Sequence, residues 1–129
     1  MSDQYFLACT PEEITKSLLE RFNSGKVEAM MGLYGHGAIF VTDSGDILAD
    51  PKEIAATLAN FLALELPMKA IARHIFVSDD IAEIVLDWSI DGDGVHLEGT
   101  ACDIARRGSD GYWRYIIDNP YGTAVRAVA

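Results

Sequence analysis

Apolar residues recur at helical spacing in the first half of the chain and at every second position in the second half. Ile14, Leu18, Leu19 and Phe22 fall on one helical face. Thr10-Pro11-Glu12-Glu13 stands just before them. Thr10 can cap the free amides, Pro11 suits the first helical position, and Glu13 completes a capping box. Gly25 ends that helix. Val27, Met30, Met31 and Tyr34 mark the inward side of a short second helix. Ala38 to Thr42 reads as a strand, and Asp43-Ser44-Gly45-Asp46 as a turn. Asp50-Pro51-Lys52-Glu53 repeats the capping logic for a third helix faced by Ile54, Leu58, Phe61 and Leu62, which Pro67 closes.

From Ala70 the period changes to two. Ala70 to Val77 is one strand, and Ser78-Asp79-Asp80 turns the chain. In the next strand Ala82, Ile84, Leu86, Trp88 and Ile90 share one face, while Glu83, Val85, Asp87 and Ser89 share the other. Asp91-Gly92-Asp93-Gly94 turns into a strand over Val95 to Arg106. Gly108-Ser109-Asp110-Gly111 turns into a last strand, Tyr112 to Asp118. Helices first and strands afterwards is an α+β plan. It predicts three N-terminal helices packed in the concave face of a curved, mostly antiparallel sheet, a cone-like roll whose wrapped space is a pocket. A chain of 129 residues forms one such domain, residues 1–129.

Composition narrows the partners. Twenty acidic against 10 basic residues give a net charge of −10, which argues against nucleic acid and against anionic membrane surfaces. The longest apolar stretch, Ile54 to Leu66, is too short to span a bilayer. Two cysteines, Cys9 and Cys102, make no disulfide framework, and Met1-Ser2-Asp3-Gln4 lacks a basic signal region. A cytoplasmic protein is the expectation. Asp91-Gly92-Asp93-Gly94 lacks the calcium-loop continuation, and His36, His74 and His96 show no metal spacing. There is no nucleotide fingerprint or nucleophile elbow. No cofactor and no metal are expected.

One resemblance stands out. Val27-Glu28-Ala29-Met30, Leu33-Tyr34, Gly45-Asp46-Ile47 and Trp88 form part of it. Its core is Asp103-Ile104-Ala105-Arg106-Arg107 through Asp110-Gly111-Tyr112-Trp113-Arg114 to Asp118-Asn119-Pro120. Together they resemble the nuclear transport factor 2-like superfamily, in its SnoaL-like and domain-of-unknown-function branch. The resemblance implies a ketosteroid isomerase-like, cystatin-type cone with an apolar cavity, usually dimeric. It covers both enzymes and non-catalytic domains. Ketosteroid isomerase uses an Asp base with a Tyr and a protonated Asp that hold the enolate oxygen. On the matched landmarks Leu18 stands in place of that Tyr and Thr42 in place of the base, with Asp43 beside it. Asp103 stands in place of the protonated Asp. Limonene epoxide hydrolase, another member, has Arg-x-Asp on one strand, where this chain reads Val85-Leu86-Asp87.

The strongest chemical candidates are Asp103 and Asp118. A two- or four-residue loop around Ser109-Asp110 pairs Asp103 with Ile116 and sets Asp118 diagonal, about 7–8 Å away on the same face. A three-residue loop sends Asp118 to the other face. Two carboxyls in an apolar cavity repel, so one holds its proton near neutral pH and can act as acid or donor. The competing reading is structural: Asp118 secures Asn119-Pro120, and Asp103 pairs with Arg106 or Arg114.

Leu58, Phe61, Ile84, Leu86 and Trp88 are read as shaping the pocket, with Tyr34, Phe40, Thr42, His74, Ala101 and Ile116 on its wall. His74 shares strand parity with Ala70 and Ala72 and is either a proton shuttle or a hydrogen-bonded core residue. Gly99, Ala101 and Ala105 leave room for a pocket on the order of 300 Å³. The expected ligand is a small apolar, oxygen-bearing molecule. It is either turned over by acid–base chemistry of the isomerase, cyclase or hydrolase type or held by a non-catalytic binding or dimerisation module. Trp113, Tyr115 and Ile117 have the parity opposite to Asp118, so they are expected on the outer face, at the centre of a homodimer interface.

Overall fold

The structure, a computed structural model, describes residues 5–124. Three helices, α1 (Ile14–Asn23), α2 (Val27–Met31) and α3 (Pro51–Leu62), pack on one face of a six-stranded sheet. The strands are β1 (Tyr34–Val41), β2 (Ile47–Leu48), β3 (Met68–Ser78), β4 (Ile81–Gly92), β5 (Val95–Arg107) and β6 (Trp113–Asp118). Their order is β2-β1-β6-β5-β4-β3, antiparallel throughout except where β1 runs parallel to β6. This is the expected α+β plan.

The helix starts follow the local chemistry. Glu13 accepts hydrogen bonds from the backbone N–H groups of Thr10 (3.2 Å) and Cys9 (2.8 Å). Asp50 caps α3 by accepting from the Lys52 N–H at 2.9 Å. Their buried faces carry Ile14, Leu18 and Phe22 on α1 and Ile54 and Leu58 on α3. These pack on the alternate residues Ala82, Ile84, Leu86, Trp88 and Ile90 of β4, all buried. At about 25 cal/mol per Å² of apolar surface removed from water, that face is the main stabilising element. Arg21 is buried beneath α1, donating to the Ala29 carbonyl oxygen at 2.7 Å and to Ser17 Oγ at 3.1 Å.

Two irregularities decide which side chains face the core. In β3 the register slips between Ala72 and His74, so Arg73 is an extra residue. His74 then pairs with Val85 on the outer face, stays exposed, and stacks on Phe76 at 5.6 Å. It is therefore not a pocket residue. In β6 the loop from β5 has five residues, Gly108 to Tyr112, closed by a Gly108 N–H to Tyr112 carbonyl bond of 2.8 Å. That register pairs Arg107 with Trp113 and Ala105 with Tyr115. It turns both aromatic rings inward, where Trp113 is 6 % and Tyr115 1 % exposed. The expected outer stripe centred on Trp113 and Tyr115 is thus corrected: both belong to the core, and only Ile117 of the three keeps the outward parity. A bulge at Ile116 follows, since beyond it Ile104 pairs with Ile117. The outer face instead carries Ile71, 73 % exposed, together with Val85, Ile104, Ile117 and Ile39 in successive strands.

Candidate functional site

The bulge at Ile116 brings Asp118 level with Asp103 on the inner face. A five-residue loop alone would have sent Asp118 outward; the extra residue turns it back. The parallel neighbour β1 sets Tyr34 beside Tyr115 and Phe40 beside Asp118. Four polar side chains therefore meet at the end of an apolar core: Asp103 from β5, Tyr115 and Asp118 from β6, and Tyr34 from β1.

Their hydrogen bonds are uneven. Tyr34 Oη donates to Asp118 Oδ2. Asp103 Oδ1 accepts from the Asn119 backbone N–H at 2.8 Å. Neither Arg expected beside Asp103 takes that place, because Arg106 is exposed and Arg114 binds Asp110 at 2.8 Å. Tyr115 Oη is buried with no partner at hydrogen-bond geometry, although its ring lies against Tyr34 at 6.3 Å. A buried hydroxyl left without a partner costs on the order of 1–3 kcal/mol, and the polar group that Tyr115 Oη acts on is the Asp103 carboxyl, short of full hydrogen-bond geometry.

Electrostatics sorts the four groups. Burial, reinforced by the charge of Asp118 and by the hydrogen bond between the two carboxyls, pushes the Asp103 carboxyl well above the usual carboxylate range, against the Asn119 N–H and Tyr115. Burial also lifts Asp118, to about 6, while bonds from Tyr34 and Asp103 hold it down. Burial and then the neighbouring carboxyls raise both Tyr34 and Tyr115. Asp118, the lowest of the four and half-buried, is the group that ionises first. Such coupled sites titrate as a set.

A cavity of about 50 Å³ adjoins the cluster, room for a few waters or for the head of a ligand. It is smaller than expected because Phe61, Leu86 and Trp88 project into the cone. Asp103, Asp118 and Tyr115 line it with Phe40, Leu58, Phe61, Leu86, Trp88 and Ala101. Of the other residues expected there, Ile84 is buried behind Asp103, with which it pairs across β4 and β5. Tyr34 contributes its hydroxyl to Asp118. Thr42 lies at the rim, in an adjoining groove. Ile116, as the bulged residue, is turned to the rear of the sheet beside Arg114 and Gly35. Tyr115 is the residue that sequence reasoning missed. The loop carries Gly111, with a positive φ of 85°, but no sequence signal fixes it at five residues.

The strap after β6 closes one side. Trp88 Nε1 donates to the Pro120 carbonyl at 2.7 Å, and Tyr121 packs edge-on against the Trp88 ring at 5.8 Å. Gly99 permits this approach, since a Cβ there would lie 2.9 Å from the indole and 3.0 Å from the Pro120 oxygen. Among the described residues no group of three or more His, Cys, Asp or Glu is placed to hold a metal, and no helix is long and apolar enough to cross a membrane.

No family model and no curated protein matches the sequence. Solved structures do match it in shape. A candidate calcium/calmodulin-dependent protein kinase type II association domain from Thiobacillus denitrificans superposes with a TM-score of 0.73 at 18% identity, over 88% of this chain and 95% of its own. An NTF-2 like protein of unknown function from Shewanella oneidensis gives 0.71 at 18% identity, over 82% and 91%. A candidate dehydratase of the NTF2-like family from Streptomyces avermitilis gives 0.64 at 17% identity, over 81% and 87%. These likenesses carry the architecture rather than the chemistry. Helices in the hollow of a curved mixed sheet, with this strand order and these neighbours, give the chain the nuclear transport factor 2-like fold.

Proposed function

We propose that the protein binds a small, mainly apolar molecule by a carbonyl or similar oxygen, and that the four-residue cluster moves a proton on it. The observation that carries this reading is the buried Tyr115 hydroxyl, which reaches no partner at full hydrogen-bond geometry, beside two carboxyls in one cavity. A ligand oxygen placed there accepts from Tyr115 Oη and from protonated Asp103, whose O–H turns from Asp118 to the ligand; burial holds both groups in their protonated forms. Asp118, ionised above about pH 6 and steadied by Tyr34, is the base. It takes a proton from the carbon next to the carbonyl; that C–H pair moves into an enolate, whose oxygen the two donors stabilise. Return of the proton to another position completes an isomerisation.

Proton exchange tests this. The α-hydrogens of 2-nonanone are followed by NMR in deuterated water. Acceleration by the wild type, with Asp118→Asn slower by about a hundredfold or more, supports the base. Tyr115→Phe should weaken ketone binding about tenfold, the loss of one hydrogen bond to a charged or developing-charge oxygen, yet melt no lower than wild type. Binding without exchange selects the second reading, a ligand-binding module. The narrow cavity and the anchoring of Asn119 by Asp103 favour that alternative. Absence of ketone binding refutes both.

The same reading includes a homodimer through the outer sheet face, now built on Ile71, Val85, Ile104 and Ile117. A cytoplasmic setting belongs to it as well, in keeping with two free cysteines.

A further inference from the structure

An open groove of about 390 Å³ adjoins the inner cavity, and Phe40 and Phe61 line both. The cavity alone, about 50 Å³, accepts only the head of an organic molecule, and this groove, which shares two lining residues with it, offers the rest of a ligand a place to lie. Its floor is apolar, with Leu97 and Tyr121 beside the two phenylalanines. Its rim is polar. Thr57 and Asn60 come from the same face of α3 as Phe61, and among the described residues neither side chain has a hydrogen-bond partner that would compete with a ligand. Asp43, in the turn between β1 and β2, is the charged residue on that rim. Among the described residues no lysine or arginine lines the groove. The charge of Asp43 is felt across it, adding to burial in holding the Tyr121 phenol above its ordinary range.

Resting on the reading above, we propose that this groove is the second half of the ligand site. It takes the tail of a neutral, chain-like carbonyl compound that ends in a hydroxyl or amide, and it rejects tails that end in a carboxylate. The apolar floor buries the chain. Thr57 and Asn60 offer both donors and acceptors to a neutral polar end. Asp43 offers a terminal carboxylate only repulsion, in a protein whose net charge is already −10.

Three ketones of matched length separate the outcomes: 2-nonanone, 9-hydroxy-2-nonanone and 8-oxononanoate. Affinities are measured by NMR titration on wild type, Asp43→Asn and Asp43→Lys. Asp43 is exposed in a turn, so both variants are expected to fold. In wild type the hydroxy ketone should bind at least about fivefold tighter than the oxo acid at low ionic strength, with the gap narrowing toward roughly 1 M salt. Asp43→Asn should shrink the ratio, and Asp43→Lys should invert it. Equal affinities for the two tails, or a ratio that neither variant changes, overturns the groove assignment while the acid-cluster reading stands on 2-nonanone. Failure of all three ketones to bind overturns both.

Discussion

Replacing Asp118 by Asn removes the one group of the cluster that ionises near neutral pH. In the unfolded chain an Asp releases its proton near about pH 3.9, whereas in the fold Asp118 does so at about 6. Between those values the folded chain holds more protons than the unfolded one, so stability falls as pH rises. Two units of displacement amount to about 3 kcal/mol once both states are ionised, near pH 8, and to about half that near pH 5. Asn carries none of this cost, though it gives up the charge on the bond from Tyr34, which offsets about 1–2 kcal/mol of the gain. The variant should therefore match or exceed wild type near pH 8. Its advantage should shrink by roughly 1–1.5 kcal/mol toward pH 5, a relative shift of about 5 °C in melting temperature for a domain of this size. Calorimetric melts of both proteins across that range measure it. Parallel melting curves, with the variant lower by the same amount at every pH, would show that Asp118 is not displaced upward and would refute the base assignment.

Three further outcomes follow from the packing. Ile84→Ala, at a side chain with no exposure beside Asp103, should cost about 2–5 kcal/mol in urea unfolding with no change in slope. Gly122→Ala should loosen the strap by about 1–3 kcal/mol, because φ is +54° and a Cβ would sit 2.4 Å from the Thr100 oxygen; a red shift of Trp88 emission reports it. Ile117→Glu and Ile71→Glu should each convert a sedimenting dimer to monomer, and a wild type that sediments as a monomer at micromolar concentration rules out the outer-face interface.

The helices and the central strand were legible because one period explains each of them. Thr10 and Asp50 announce the helix starts, and the alternation from Ala82 to Ile90 admits one buried face. The strand that begins at Tyr34, rather than Ala38, was hidden by Gly35 and Gly37, which break the apolar pattern. The inward placement of Asp103 followed from its parity with Ala101 and Ala105. The position of His74 could not follow from parity, because Arg73 is one residue more than the alternation counts; Trp113 and Tyr115 depend on a hairpin loop of five residues rather than four, and Asp118 on the extra residue at Ile116. Nothing in a single strand reveals an extra residue; only its pairing with a neighbour does.

The bulge at Ile116 therefore uncouples the two halves of β6. Trp113 and Tyr115 belong to one frame of alternation and Asp118 to the other, and both frames face the hollow. Deleting that single residue would rotate Asp118 to the rear of the sheet and leave Tyr115 where it is. Among chains sharing this architecture at 17–18% identity, one inserted or lost residue in this strand is thus enough to give or withdraw a carboxyl from the hollow without touching the fold. Matching the aspartates of two such chains by order along the sequence, without the strand pairing, would place the same letter on opposite sides of the protein.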